Sequence, residues 1–170
     1  MKIIRSLVAA ILLGCLAQCG TDNGETGSIE EVGRVGQGLC VQQTLTPTGA
    51  TASSVEAAQF GPALAIDGNT STRWSSAFSD PQWIRVDLGA TFRINRVVLR
   101  WETAFGRAYQ IQVSPDGNNW TTIRTTTTSP GGVEDFGVTG TGRFVRMLGT
   151  TRGTQWGYSL WEFEIYGTSG

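Results

Sequence analysis

The sequence predicts an all-β domain, an antiparallel β-sandwich or jelly roll. Three observations carry that expectation. From about Leu39 onward, short runs alternate apolar and polar residues with a period of two. Those runs are rich in Val, Ile, Thr, Tyr and Trp, and Gly, Pro, Asp and Asn punctuate them. No segment sustains a 3.6-residue period, and nothing repeats at a fixed spacing.

In chain order, "SVEAAQFGPALAIDG" (54–68) has room for one helical turn at most. Strands are then expected at "QWIRVDLG" (82–89), "INRVVLRWE" (94–102), "AYQIQVS" (108–114), "NWTTIRTTT" (119–127), "FVRMLG" (144–149) and "SLWEFEIYG" (159–167). "SPDGNNW" (114–120) has the Pro and Asp-Gly chemistry of a hairpin turn. In the last strand, a period of two puts Trp161, Phe163 and Ile165 on one face and Leu160, Glu162, Glu164 and Tyr166 on the other. Trp156 and Tyr158 precede that strand, set among glycines. Trp74, Trp83, Trp101, Trp120 and Trp161 sit in or beside alternating runs, so they belong to the core or its rim.

The chain has 170 residues, enough for one domain, and a formal net charge of -1. That charge argues against nucleic acid, which demands a basic surplus. There is no histidine, and Lys2 is the sole lysine. Histidine triads, histidine bases and histidine-ligated metals are therefore excluded.

The N-terminus, "MKIIRSLVAAILLGCLAQCG", has Lys2 and Arg5 before an apolar run from Leu7 to Leu16, too short to span a bilayer. Residues 1–19 read as a secretory signal of lipoprotein type, with Cys19 lipidated and Cys15 as the alternative. An ordinary cleaved signal is the plainer reading. Cys40 would then be the one cysteine of the mature domain, so no internal disulfide is expected. Residues 20–38 are Gly-rich, polar and acidic and read as a flexible linker; the domain is 39–170. The protein is expected to be exported, as an outer-membrane or cell-surface lipoprotein or a secreted protein. It is expected to be a monomer that meets the membrane only through its anchor.

"ATASS", "ALAIDGNTSTRWSS", "DPQWIRVDLG", "INRVVLRWE", "YQIQVSPDGNNWTT", "RFVRMLGTTRGT" and "GYSLWEFEIYG" follow one another in an order that resembles discoidin domains. These are also called coagulation factor 5/8 C-type domains, and many bacterial members are family 32 carbohydrate-binding modules. The resemblance covers nearly all of residues 39–170. It is strongest to the chitosan-binding discoidin domains of bacterial chitosanases. It implies a jelly-roll-like sandwich of about eight strands, with the ligand site in loops at one end.

Two sets of residues follow. In "LAIDGNTSTRW" (64–74), Asp67 and Gly68 start a tight turn and Thr72 adds a hydroxyl. Such a loop is most simply a plain turn, yet oxygen donors of this kind suit calcium. The resemblance implies a structural calcium held by the carbonyls of Leu64, Asn69 and Trp161 and the side chains of Asp67, Thr72 and Glu162. It also implies a glycan site at Glu56, Arg73, Phe78 and Glu102, with Trp156 and Tyr158 on the loop that closes the same end. Aromatic faces cover the apolar face of a sugar, and planar polar groups bond its hydroxyls. Plainer readings pair Arg73 with Asp80 or Asp87, use Phe78 as a core plug and leave Glu56 and Glu102 solvated. Where some chitosan-binding relatives have an acid or tyrosine, Phe78 keeps stacking and removes a charge, so a neutral β-glucan stays open beside an aminosugar.

The expected function is therefore a non-catalytic carbohydrate-binding module, taking chitosan, glucosamine oligosaccharides or β-glucan. Glu56 and Glu102 could form a hydrolase pair, but so small a domain offers no deep cleft. Adhesion to phospholipid or to a protein partner is the alternative. It is disfavoured because the domain has no lysine and no evident apolar loop.

Overall fold

The computed structural model describes residues 43–169. The signal and linker readings, with Cys15, Cys19 and Cys40, lie outside the described residues. Eight strands account for most of the rest: β1 (Gln43–Thr44), β2 (Gly49–Ala52), β3 (Trp74–Ser75), β4 (Gln82–Trp101), β5 (Gly106–Ser114), β6 (Thr121–Thr126), β7 (Val133–Arg152) and β8 (Ser159–Ser169). Two short 3-10 turns, Ala58–Phe60 and Pro62–Ala65, occupy the segment where one turn was expected.

Every pairing is antiparallel. β4 and β7 run beside each other along nearly their whole length, with register breaks between Asp87 and Phe92 and between Ile94 and Arg96. The first half of β4 also pairs with β2, and the second half with β8. The late half of β7 pairs with β5, and β5 with β6. One layer is therefore β2, early β4, late β7, β5 and β6. The other is β1, β8, late β4 and early β7. The two long strands pass through both layers, and this is the all-β sandwich that was expected. What read as two strands, 82–89 and 94–102, is one bent strand. The first half of β7 was not anticipated, because "VEDFGVTGTGR" is broken by glycines and only partly alternates.

Alternation places Ile84, Val86 and Leu88 of β4, Ile111 and Val113 of β5, and Val145 and Met147 of β7 in a common core with Trp74, Trp101, Tyr109 and Phe163. Full burial of one such side chain is worth about 1.5–3 kcal/mol. Trp74 and Trp101 are core, whereas Trp83, Trp120 and Trp161 lie at the rim. The period-two reading of β8 fails at one point. Arg100 pairs with Glu162 but Trp101 pairs with Leu160, so Trp161 is an extra residue, a β-bulge. The bulge turns Leu160 into the core beside Phe163 and Ile165 and leaves Trp161 half-exposed.

Candidate functional site

The loops before β3, between β3 and β4, after β4 and before β8 meet at one end of the sandwich. Glu56, Arg73, Ser75, Phe78, Glu102, Thr103, Ala104 and Trp156 line a cleft of about 200 Å³ there. Five of the six expected glycan-site residues thus come together. Phe78 is no core plug: it is 46% exposed and Trp156 49% exposed. Their rings meet edge to face, with centroids 5.5 Å apart and planes at 75°.

Arg73 pairs with neither Asp80 nor Asp87. Its guanidinium lies 4.0 Å from the centre of the Phe60 ring, donates to Ser159 Oγ at 2.9 Å and stands 3.8 Å from the Glu56 carboxylate. That last separation is too long for a hydrogen bond, so both groups keep capacity for a ligand. Glu102 is half-buried rather than solvated, and its Oε2 accepts the Ala104 N–H at 2.9 Å.

Tyr158 is the correction. Its ring is fully buried, so it has no face for a sugar. Trp156 and Tyr158 share parity, so it is the bend before β8, not alternation, that leaves Trp156 outward and turns Tyr158 inward, where its hydroxyl donates to Asp80. Burial, with the Asp80 carboxylate beside it, pushes the phenol above the usual tyrosine range, so it remains a donor. Arg152 binds the other Asp80 oxygen at 3.3 Å and donates to the Gln155 and Trp156 carbonyls at 3.2 and 3.4 Å. Tyr158 therefore supports the Trp156 loop from beneath.

A second support is Gln82, which sequence reasoning missed. Its Oε1 accepts from Ser54 Oγ at 2.7 Å, its Nε2 donates to Ser79 Oγ at 2.7 Å, and Ser54 Oγ accepts the Ala77 N–H at 2.9 Å. Gln82 thus ties the Glu56 loop to the Phe78 loop. The signal was available: Gln82 shares the inward parity of Ile84, Val86 and Leu88, and a buried amide there needs partners.

The Asp67 loop forms a separate cluster. Asp67 accepts the Asn69 N–H at 2.9 Å and the Thr72 hydroxyl at 2.8 Å, and Thr72 also faces the Asn69 carbonyl at 2.9 Å. Glu162 points toward this loop from β8. It is only 5% exposed, and its Oε1 has no hydrogen-bond partner. Burial, then the Asp67 charge, pushes its carboxyl up to about 7. An orphaned buried carboxylate oxygen beside a second carboxylate is an arrangement that a cation would complete. Among the described residues no cluster of three or more His, Cys, Asp or Glu exists. The donors are thus two carboxylates, a hydroxyl and carbonyls, a set that fits calcium.

The sandwich and its loop-end cleft define a discoidin-type module. The chain belongs to the F5/8 type C domain family, whose model matches residues 49–163. Chitosan-binding module 1 of a chitosanase/glucanase from Paenibacillus sp. IK-5 is 51% identical, with a TM-score of 0.71 over 74% of this chain and 99% of that one. Module 2 of the same enzyme, solved with chitotriose, is 47% identical, with a TM-score of 0.70 over 72% of this chain and 98% of that one. A polysaccharide lyase 8 family protein, HylA, of Enterococcus faecalis is 42% identical over 65 residues, which are 38% of this chain. The match spans only 5% of that lyase's length.

Proposed function

We propose that this domain is a non-catalytic carbohydrate-binding module whose cleft takes chitosan or glucosamine oligosaccharides. The observation that carries the reading is the pair of exposed rings, Phe78 and Trp156, beside two carboxylates and one guanidinium. The rings can stack on the apolar face of a sugar. Glu56 and Glu102 outnumber Arg73, so the cleft has one unbalanced negative charge, which suits a sugar ammonium. Relatives about half identical to this chain bind chitosan. At about 200 Å³ the cleft falls below the ~300–1,000 Å³ of enclosing small-molecule sites. It grips part of a polymer and does not surround it, which fits recognition without hydrolysis.

We further propose a structural calcium at Asp67, Thr72 and Glu162 with the carbonyls of Leu64, Asn69 and Trp161. Export as a lipoprotein, through Cys19 or Cys15, completes the reading.

Calorimetric titration of glucosamine hexamer, its N-acetylated form and cellohexaose at mildly acidic pH tests the ligand. Binding should be strongest for the charged hexamer and weaken with added salt. Equal affinity for cellohexaose would shift the assignment to a neutral β-glucan. No binding of any of the three would overturn it.

A further inference from the structure

The outer faces of the two layers treat their arginines differently. On the layer containing β8, Arg96 forks onto Asp135 at 2.8 and 2.7 Å, and Arg100 pairs with Glu164 at 2.5 Å. On the other layer, alternation turns Trp83, Arg85 and Asp87 of β4 outward, with Phe144 and Arg146 of β7 beside them. The register sets Arg85 opposite Arg146, and Arg146 opposite Gln112 of β5. Like charges facing each other across antiparallel strands repel.

Among the described residues, neither arginine has a carboxylate partner within salt-bridge distance. Arg85 donates to Thr51 Oγ1 at 3.2 Å, and Arg146 donates through Nε and Nη2 to Gln112 Oε1 at 2.9 and 2.5 Å. Asp87, on the same face, is held bidentately by Arg143, both contacts at 2.8 Å. Aromatic rings support both guanidinium planes. Arg146 lies 4.0 Å from the Trp120 ring centre, and Arg85 lies 5.2 Å from Phe144 and 6.0 Å from Trp83. Beside these rings the guanidinium groups keep the N–H groups that their neighbours leave, Nη1 of Arg146 and both Nη nitrogens of Arg85, for an oxyanion. Burial, together with the Arg85 charge, also holds Arg146 below the usual arginine range.

We propose that this outer face is a second binding platform, on which Arg85 and Arg146 take the carboxylate or sulfate groups of an acidic polysaccharide. The platform is an open sheet, so a single small anion would gain little there, whereas a polymer repeats its charges and binds by avidity. Two arginines without carboxylate partners fall short of the run of phosphate contacts on which nucleic-acid binding rests, so the polyanion is a polysaccharide. None of the residues lining the cleft belongs to the platform, so the two readings can fail separately.

Affinity electrophoresis of the full chain through polygalacturonate, dextran sulfate and neutral dextran provides the test, with sodium sulfate as a free-anion competitor. Wild type should be retarded by one or both acidic polymers and not by dextran. Arg85→Gln/Arg146→Gln should lose at least about tenfold in affinity, the loss expected for one charge-assisted hydrogen bond. The charge-matched control Arg93→Gln/Arg107→Gln should lose much less. Arg85→Lys/Arg146→Lys keeps the charge, and it should still weaken binding because the planar fork is gone. That variant decides the matter if the glutamine pair does not fold. Glucosamine-hexamer titration of the same variants should be unchanged. Equal losses in the control pair, full binding by both platform variants, or no retardation of wild type by either acidic polymer would each overturn the platform.

Discussion

Phe78 and Tyr158 are two aromatic residues from the same family of expectations, and their surroundings give them opposite jobs. Phe78 is 46% exposed, so Phe78→Ala removes a stacking face and little packing. It should weaken glucosamine-hexamer binding about tenfold, corresponding to roughly 1.4 kcal/mol, while the melting temperature stays put. A variant that melts early would instead make Phe78 a structural residue. Tyr158→Phe should behave the other way. The half-buried contact with Asp80 is lost, at about 1–3 kcal/mol for a bond to a charged group, so melting should fall by several degrees while hexamer affinity changes less than for Phe78→Ala. Unchanged melting would show that the hydroxyl contributes nothing to holding the loop. Which ring faces out was not legible from "QWGYS" alone. Trp156 and Tyr158 share parity, so alternation would put both on one side, and only the bend before β8 separates them.

At the scale of elements, Glu162 connects the last strand to the Asp67 loop. Melting in calcium against excess chelator should show a higher midpoint with the ion, by about 2.7 kcal/mol at a hundredfold excess over the dissociation constant. Glu162→Gln should abolish the difference. Identical midpoints, with no metal by elemental analysis, would remove calcium from the account. The sign of the pH effect follows from the raised carboxyl at about 7. Below that value a proton competes for Glu162, so calcium should bind more weakly at pH 5.5 than at pH 8, and a flat profile would contradict the assignment. Alternation alone located the late half of β7 and most of β5 and β8, which have buried faces, and β6, whose Ile123 packs partly buried against the core. It did not reveal β1 or β3, which are two residues long and take their pairing from β8. Nor could it foresee the bulge at Trp161, since a bulge shifts parity without changing composition. The cleft was legible as a set of residue types only through the family resemblance. Gln82, its central tie, was legible as a polar residue at an inward position.

At the scale of the whole molecule, the proposed lipid anchor and the cleft make separate demands. Replacing Cys15 and Cys19 together by serine should move the exported protein from the membrane fraction to the soluble fraction while its hexamer affinity stays the same. A wild-type protein already soluble after export would contradict the anchor. β4 and β7 make the two layers one cooperative unit, because each belongs to both. A single melting transition is therefore expected for the domain, whichever layer a substitution touches.

The pairing of β1 with the far end of β8 has a consequence for how this domain can be wired to anything else. Gln43 lies across from Gly167, so the polypeptide enters and leaves side by side. The cleft end is marked by Ser159, which bonds Arg73, and the stretch from Ser159 to Gly167 is about 26 Å long at ~3.3 Å per residue. Entry and exit therefore share one pole, and the loops that line the cleft occupy the other. Such a unit behaves like a plug with both wires at its back. A fluorescent protein fused just before Gln43 or after Ser169, or the domain spliced as a cassette into a surface loop of another protein, should leave hexamer affinity unaltered.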